Sequence, residues 1–223
     1  MKTPITSIRA FSEILLDENL DEVNKRRFLQ IIIDETGRMS RLIDQVLDLE
    51  RFDSGKQKLN MTKTDLAALV KETAESMEQV FGEKGLQFQL KLSFERLEIM
   101  VDPDRIRQVL LNLLSNASKF AASKVILTAM ENEGDLILEV QDDGKGIPEK
   151  EIPHIFDKFY QAKNQTSLKP IGRGLGLAIS KKIVDYHGGT VNASRENGMT
   201  IFRVLLPKQL KAYLNLNSKI AHE

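Results

Sequence analysis

The stretch LILEVQDDGKGIP, residues 136–148, decides how this sequence folds. Its apolar run reads as a strand that ends in an acidic residue, Asp142, and then breaks at Gly144 and Gly146. Two glycines so close to a strand end let backbone approach a flat ligand with no side chain between. A buried carboxylate at Asp142 can accept a hydrogen bond from the amino group of adenine. Guanine would set a carbonyl oxygen against it, an acceptor facing an acceptor, at a cost of a few kcal/mol. The competing reading is an ordinary Asp-Gly hairpin turn, which is common. The neighbouring segments decide between them.

Working outward, QFQLKLSF (87–94) alternates strictly and places Phe88, Leu90, Leu92 and Phe94 on one face of a strand. KVILTAM (124–130) reads as a second strand, joined to LILEVQ through the turn region at Glu133-Gly134, and TVNASR (190–195) and TIFRVLL (200–206) as two more. Amphipathic helices are predicted for Asp65 to Phe81, for RIRQVLLNLLSNASKF behind Pro103, and for Leu175 to His187. The expectation is an α+β class: a sandwich domain over 60–208 with a mixed, mostly antiparallel sheet and helices on one face.

The front of the chain follows another pattern. Phe28, Ile32, Glu35, Met39, Leu42, Val46 and Leu49 are spaced by alternating fours and threes, a heptad seam with one polar position. Thr3 to Leu16, with Ile5, Ile8 and Leu15 on one side, supplies a partner helix across the acidic DENLDE (17–22) turn, and Asp53-Ser54-Gly55 stops the second helix. Residues 1–56 are thus expected to form an antiparallel helical hairpin. Two apolar stripes rarely make a stable unit alone, so a homodimeric four-helix bundle is expected; packing of the hairpin on its own chain is the alternative. QLKAYLNLNSKIAHE (209–223) fits neither pattern and reads as a tail or linker.

Bulk composition narrows the function. Lys+Arg and Asp+Glu are both 32, so the formal net charge is zero and nothing draws the chain to nucleic acid. The absence of cysteine removes disulfides, thiolate metal sites and a cysteine nucleophile. No apolar run reaches the ~18–20 residues of a membrane span; a cytoplasmic core is expected, with any membrane anchor of an intact protein upstream.

Three further stretches carry chemistry. In NLLSNASKF (112–120), Asn112 and Asn116 are four apart and share one helix face, with Lys119 a turn further on. Amide oxygen is a good ligand for a hard cation, and a phosphate-bound magnesium ion needs few protein oxygens; a solvated polar face is the plainer reading. IGRGLGLAI (171–179) is glycine-rich and enters a helix, where exposed N–H groups and the helix dipole suit phosphate. It lacks the Gly-Lys-Ser/Thr of a Walker loop and matches the dinucleotide fingerprint only loosely. IFDKFYQAKNQTSLKP (155–170) sets Phe156, Phe159 and Tyr160 before an aperiodic polar run, as a hinged cover over a site or a surface loop pinned by aromatics.

In this order, the four stretches resemble the N, G1, F and G2 boxes of the ATP-binding domain of sensor histidine kinases, within the superfamily that includes gyrase and heat-shock chaperones. HGGTVNASRENGMTIFRVLLP (187–207) is similar to that domain's closing segment. The resemblance implies ATP and Mg2+ as ligands. It makes Asn116 the magnesium ligand, Asn112 a support for the phosphates, and Lys119 and Phe120 neighbours of phosphate and nucleoside. It implies that Asp142 reads the adenine amino group, that Gly144, Gly146 and Ile147 shape the base pocket, and that Thr200 backs Asp142 from a neighbouring strand. Gly172, Arg173, Gly174, Leu175, Gly176 and Leu177 would form the lid end and the phosphate-facing helix start, with Tyr160 and Lys163 in the lid. Arg173 stands where the family usually has a small hydroxyl residue. Gln161 replaces a frequent arginine, leaving Lys158, Lys163 or Arg173 to meet the γ-phosphate.

TPITSI (3–8) resembles the end of the family's H box, whose phosphoacceptor histidine would stand just before Met1. The expectation is therefore a protein-histidine kinase core, ATP-dependent, whose partners are a second copy of the chain and a response-regulator receiver domain. The chain as given is not expected to phosphorylate itself, since His154, His187 and His222 all lie off the first helix. Thr3, four residues past the expected histidine and on the same helix face, would fit a phosphatase role. A nucleotide-binding pseudokinase scaffold is the alternative. An ATP hydrolase of the wider superfamily is disfavoured, because Asn112 occupies the turn where a water-activating acid would stand.

Overall fold

The computed structural model describes residues 3–17, 20–132, 134–161 and 174–208, and not the side chains of Thr3 and Pro4. The chain divides into two compact units, Met1–Lys56 and Gln57–Glu223.

In the first unit α1 (Thr3–Ile14) pairs with α2 (Glu22–Asp53). Asp21 caps α2 by accepting the Asn24 N–H at 2.9 Å, which satisfies one of the otherwise unpaired donors of its first turn. Phe11 and Phe28 stack with ring centroids 5.1 Å apart and join the helices near their connection. The seam from Phe28 to Leu49 is the less exposed side of α2. A second apolar row is open: Leu29, Ile33, Ile43 and Leu47 are 49, 62, 52 and 49% exposed. Its spacing follows the same heptad rhythm through Thr36 and Ser40.

The second unit is a sandwich. Five strands, β2 (Gln87–Leu92), β4 (Lys124–Asn132), β5 (Asp135–Asp142), β6 (Thr190–Glu196) and β7 (Met199–Pro207), form one sheet in the order β2-β4-β5-β7-β6. Only the β2–β4 pair is parallel. Three helices, α3 (Leu66–Glu83), α4 (Pro103–Phe120) and α5 (Gly176–Tyr186), lie side by side against it with α4 in the middle. Two four-residue strands absent from the sequence reading, β1 (Thr62–Asp65) and β3 (Glu98–Val101), pair as a small separate sheet. Asp65 ends β1 and caps α3, accepting from the Ala67 N–H at 3.1 Å.

The core explains the placement of the site. Ile106, Val109, Leu110, Leu113, Leu114 and Ala117 recur at three- and four-residue steps and bury one stripe of α4. On β5, Leu136, Leu138, Val140 and Asp142 alternate onto the same buried face. The residue that closes this apolar row is therefore a carboxylate, and the helix above it carries Asn112 and Asn116 at the flank of its buried stripe.

Candidate functional site

Asp142 is 3% exposed and stands directly opposite Thr200 across the β5–β7 pair. One carboxylate oxygen accepts the Gly144 N–H at 3.0 Å, and the Thr200 hydroxyl donates to the same carboxylate. Burial pushes the Asp142 carboxyl above the usual range, and these two donors oppose it. A carboxylate offers about four acceptor sites, so two internal donors leave capacity for a third, from a ligand.

The turn after Asp142 is pressed against the end of α4. A Cβ at Gly144 would lie 2.7 Å from the Asp142 Oδ1 and would collide with the Phe120 carbonyl. Gly146 has φ +82, and a side chain there would strike the guanidinium of Arg195. Asp143 does what neither its type nor its spacing announces. Its carboxylate accepts the N–H groups of Ala122, Ser123 and Lys124, each at 2.9 Å, together with the Ser123 hydroxyl. Burial alone would raise this group; the four donors instead hold it well below the usual carboxylate range. Asp143 thus fixes the α4–β4 connection and, with it, Phe120 beside Gly144.

The two asparagines separate in the structure. The Asn112 Nδ2 donates to the Ser180 Oγ at 2.8 Å, and its amide abuts Gly176, where any side chain would collide. Asn112 therefore spans α4 and the first turns of α5. Asn116 is half-buried, and among the described residues its amide makes no hydrogen bond. Lys119 is exposed as a residue, yet desolvation of its ammonium and then the nearby Lys84 charge lower its pKa. Phe120 is 42% exposed at the helix end.

A 3-10 helix, Glu149–His154, leads into the expected cover, where the ring of Phe156 meets Phe202 edge-on at 6.5 Å. The Phe159 N–H donates to the Gly174 carbonyl at 2.9 Å. Gly174 has φ +68 and leaves no room for a side chain against Tyr160. The stems on either side of 162–173 are thereby tied together. Lys163, Gly172 and Arg173, the covering role of 162–170, and the tail 209–223 lie outside the described residues. Leu175 is buried, and among the described residues no side chain caps α5, which leaves the amides of Gly176 and Leu177 as donors there. Ile147 is half-buried in the turn before Pro148.

No histidine of the described residues lies on α1 or α2. His187, at the C-cap of α5, is 6% exposed. Its Nε2 accepts the Asp102 N–H at 3.0 Å and its Nδ1 donates to the Ile183 carbonyl at 2.7 Å, which fixes the tautomer. Burial lowers its pKa. His187 joins the end of α5 to the cap of α4, where Asp102 accepts from Arg105 and Asn60. The site's two helices are clamped at this end, and only the His187-Gly188-Gly189 stop at a predicted helix end pointed to it.

Two family models match. Residues 1–55 match the His Kinase A (phospho-acceptor) domain, and residues 101–210 match the histidine kinase-, DNA gyrase B- and HSP90-like ATPases. The chain belongs to the histidine kinases. Among curated relatives this kinase core is 32% identical over 215 residues to the sensor protein KdpD of Clostridium acetobutylicum, spanning 94% of this chain and 24% of KdpD. Two solved histidine kinases share the fold. The full-length ShkA structure in complex with AMPPNP is 28% identical at a TM-score of 0.73, with 92% of this chain and 43% of that one covered. The ThkA structure in complex with the response regulator protein TrrA is 25% identical at a TM-score of 0.75, with 93% and 58% covered. The kinase core thus spans about a quarter of KdpD. Among the described residues no helix is long and apolar enough to cross a membrane.

Proposed function

We propose that this kinase core binds Mg-ATP where β5 meets the end of α4. In the intact protein it would deliver the γ-phosphoryl group to a histidine and onward to an aspartate of a response regulator. The observation that carries the reading is Asp142: a buried carboxylate, held by Gly144 and Thr200, with spare acceptor capacity beside Phe120. Its geometry suits the adenine amino group and opposes a guanine carbonyl. The AMPPNP bound in the ShkA structure supports a nucleotide here.

The phosphates would run from this pocket toward the start of α5. There the uncapped amides of Gly176 and Leu177 supply donors, and Lys119 supplies charge from α4. The open amide of Asn116 fits a magnesium ion. No group of three His, Cys, Asp or Glu among the described residues competes for one, and a phosphate-held magnesium ion takes most of its ligands from phosphate and water. When bound, the ion neutralises charge building on the phosphate oxygens. Asn112, committed to Ser180, would keep α5 aligned under the phosphates rather than touch them. Lys163, Arg173 and Gly172 are proposed as lid contacts, and Thr3 as a residue orienting water in regulator dephosphorylation.

The acceptor is none of the chain's described histidines. Both ring nitrogens of His187 are committed, and His154 is held to Asp157 at 3.1 Å beside Tyr160. The open row of Leu29, Ile33, Ile43 and Leu47 suits pairing with a second copy of the chain into a four-helix bundle. The complex of ThkA with the response regulator protein TrrA supports a regulator partner. The test is calorimetric titration with ATP and GTP, with and without magnesium. Magnesium-dependent ATP binding at least tenfold tighter than GTP supports the reading, and equal affinities oppose it.

A further inference from the structure

Arg195 is the charged neighbour of this pocket that none of the kinase boxes includes. It lies on β6 opposite Thr200 of β7, which in turn lies opposite Asp142 of β5. Directly paired residues on neighbouring strands point to one face. Asp142, Thr200 and Arg195 therefore form a row across three strands on the helix-covered face. Arg195 is exposed as a residue, yet its side chain folds back over the turn at Gly146. Its Nη1, Cζ and Cδ occupy the space that a Gly146 side chain would fill. Among the described residues its guanidinium makes no ion pair.

We propose that Arg195 is a positioning residue for base recognition: packed over Gly146 and in register with Thr200 and Asp142, it sets both the turn's position and the charge facing the base-reading carboxylate. The inference rests on the nucleotide reading above. Two groups charge the surroundings of Asp142: Asp143, which disfavours its ionised form, and Arg195, which favours it. The effect of Arg195 is smaller than those of burial, Gly144, Thr200 and Asp143. It is nonetheless the only cationic influence of the set, and the only one that also holds the turn.

The test uses the full chain and the variants Arg195→Met and Arg195→Lys, with Mg-ATP and Mg-ITP as probes between pH 4.5 and 8. ITP offers a carbonyl oxygen where ATP offers an amino group. Protonation of Asp142 abolishes its fit to ATP, so ATP binding falls on the acid side. Arg195→Met is expected to move that acid limb upward, to weaken ATP severalfold and to narrow the ATP/ITP ratio. Arg195→Lys is expected to restore the limb, because it returns the charge. An unmoved limb, or equal losses for ATP and ITP at every pH, would overturn the proposal and leave Arg195 as packing. If the unaltered chain binds neither nucleotide, the nucleotide reading itself falls. If it binds ATP and Arg195→Met matches it throughout, only the role of Arg195 falls. Thermal melts of each variant identify misfolding, and a Lys variant that folds but does not restore the limb also counts against the proposal.

Discussion

Replacing Asp142 by Asn should separate binding from folding. In the proposed nucleotide-bound state three donors would converge on the carboxylate: the Gly144 N–H, the Thr200 hydroxyl and the base amino group. An Asn amide has one oxygen, with two acceptor sites, and a donor group where the second oxygen was. One donor must go unserved, and the pocket loses its charge. A hydrogen bond to a charged acceptor contributes about 1.5–3 kcal/mol, so ATP should bind about 10- to 100-fold more weakly. The fold should move the other way. Burial raises the Asp142 pKa above the ordinary 3.8 of a free Asp, so the ionised form costs stability at all pH above the folded pKa, and that cost fades as pH falls toward 3.8. Asn carries no such cost. Titration calorimetry and thermal melts at pH 7.5 should show lost affinity with an unchanged or higher Tm. Affinity within threefold of the unaltered chain would refute the role of Asp142, and a collapsed Tm would refute the claim that its charge is held for function.

His187→Ala removes two buried hydrogen bonds and should cost about 2–4 kcal/mol in urea unfolding. Because burial lowers the folded pKa of His187 below 6.5, the unaltered chain should lose stability as pH falls through 6.5 toward that lower value, and the variant should lose less. A flat profile above pH 5 would contradict this. Asp143→Ala strips four donors of their acceptor and should destabilise the second unit by about 2–4 kcal/mol, with weaker ATP binding because Phe120 and Gly144 lose their common anchor. Ile33→Asp together with Ile43→Asp should yield a monomer in analytical ultracentrifugation while ATP binding survives; a persisting dimer would place the interface elsewhere.

What was legible in the sequence depended on range. The amphipathic pattern of α4 and the apolar run of β5 announced both elements, because each signal lies within one segment. The step from Asn112 to Asn116 correctly placed both on one face, but it did not show that Asn112 turns to Ser180, 68 positions away. β1 and β3 escaped because TKTD and EIMV are too short to display alternation, and only their pairing defines them. The role of Asp143 and the Asp102 contact of His187 were unreadable for the same reason. These contacts are not local: one Asp closes a loop some 20 positions earlier, and the imidazole Nε2 meets Asp102 from 85 positions away. Arg195 became visible only through strand register.

The most direct test is a backbone amide map of the isotope-labelled chain as Mg-AMPPNP is added. The account predicts shifts concentrated at residues 112–120, 142–147 and 174–177, with Gly144 and Gly176 among the largest. Shifts absent from the Asp142 turn, or the same map produced by a guanine nucleotide at equal concentration, would contradict it.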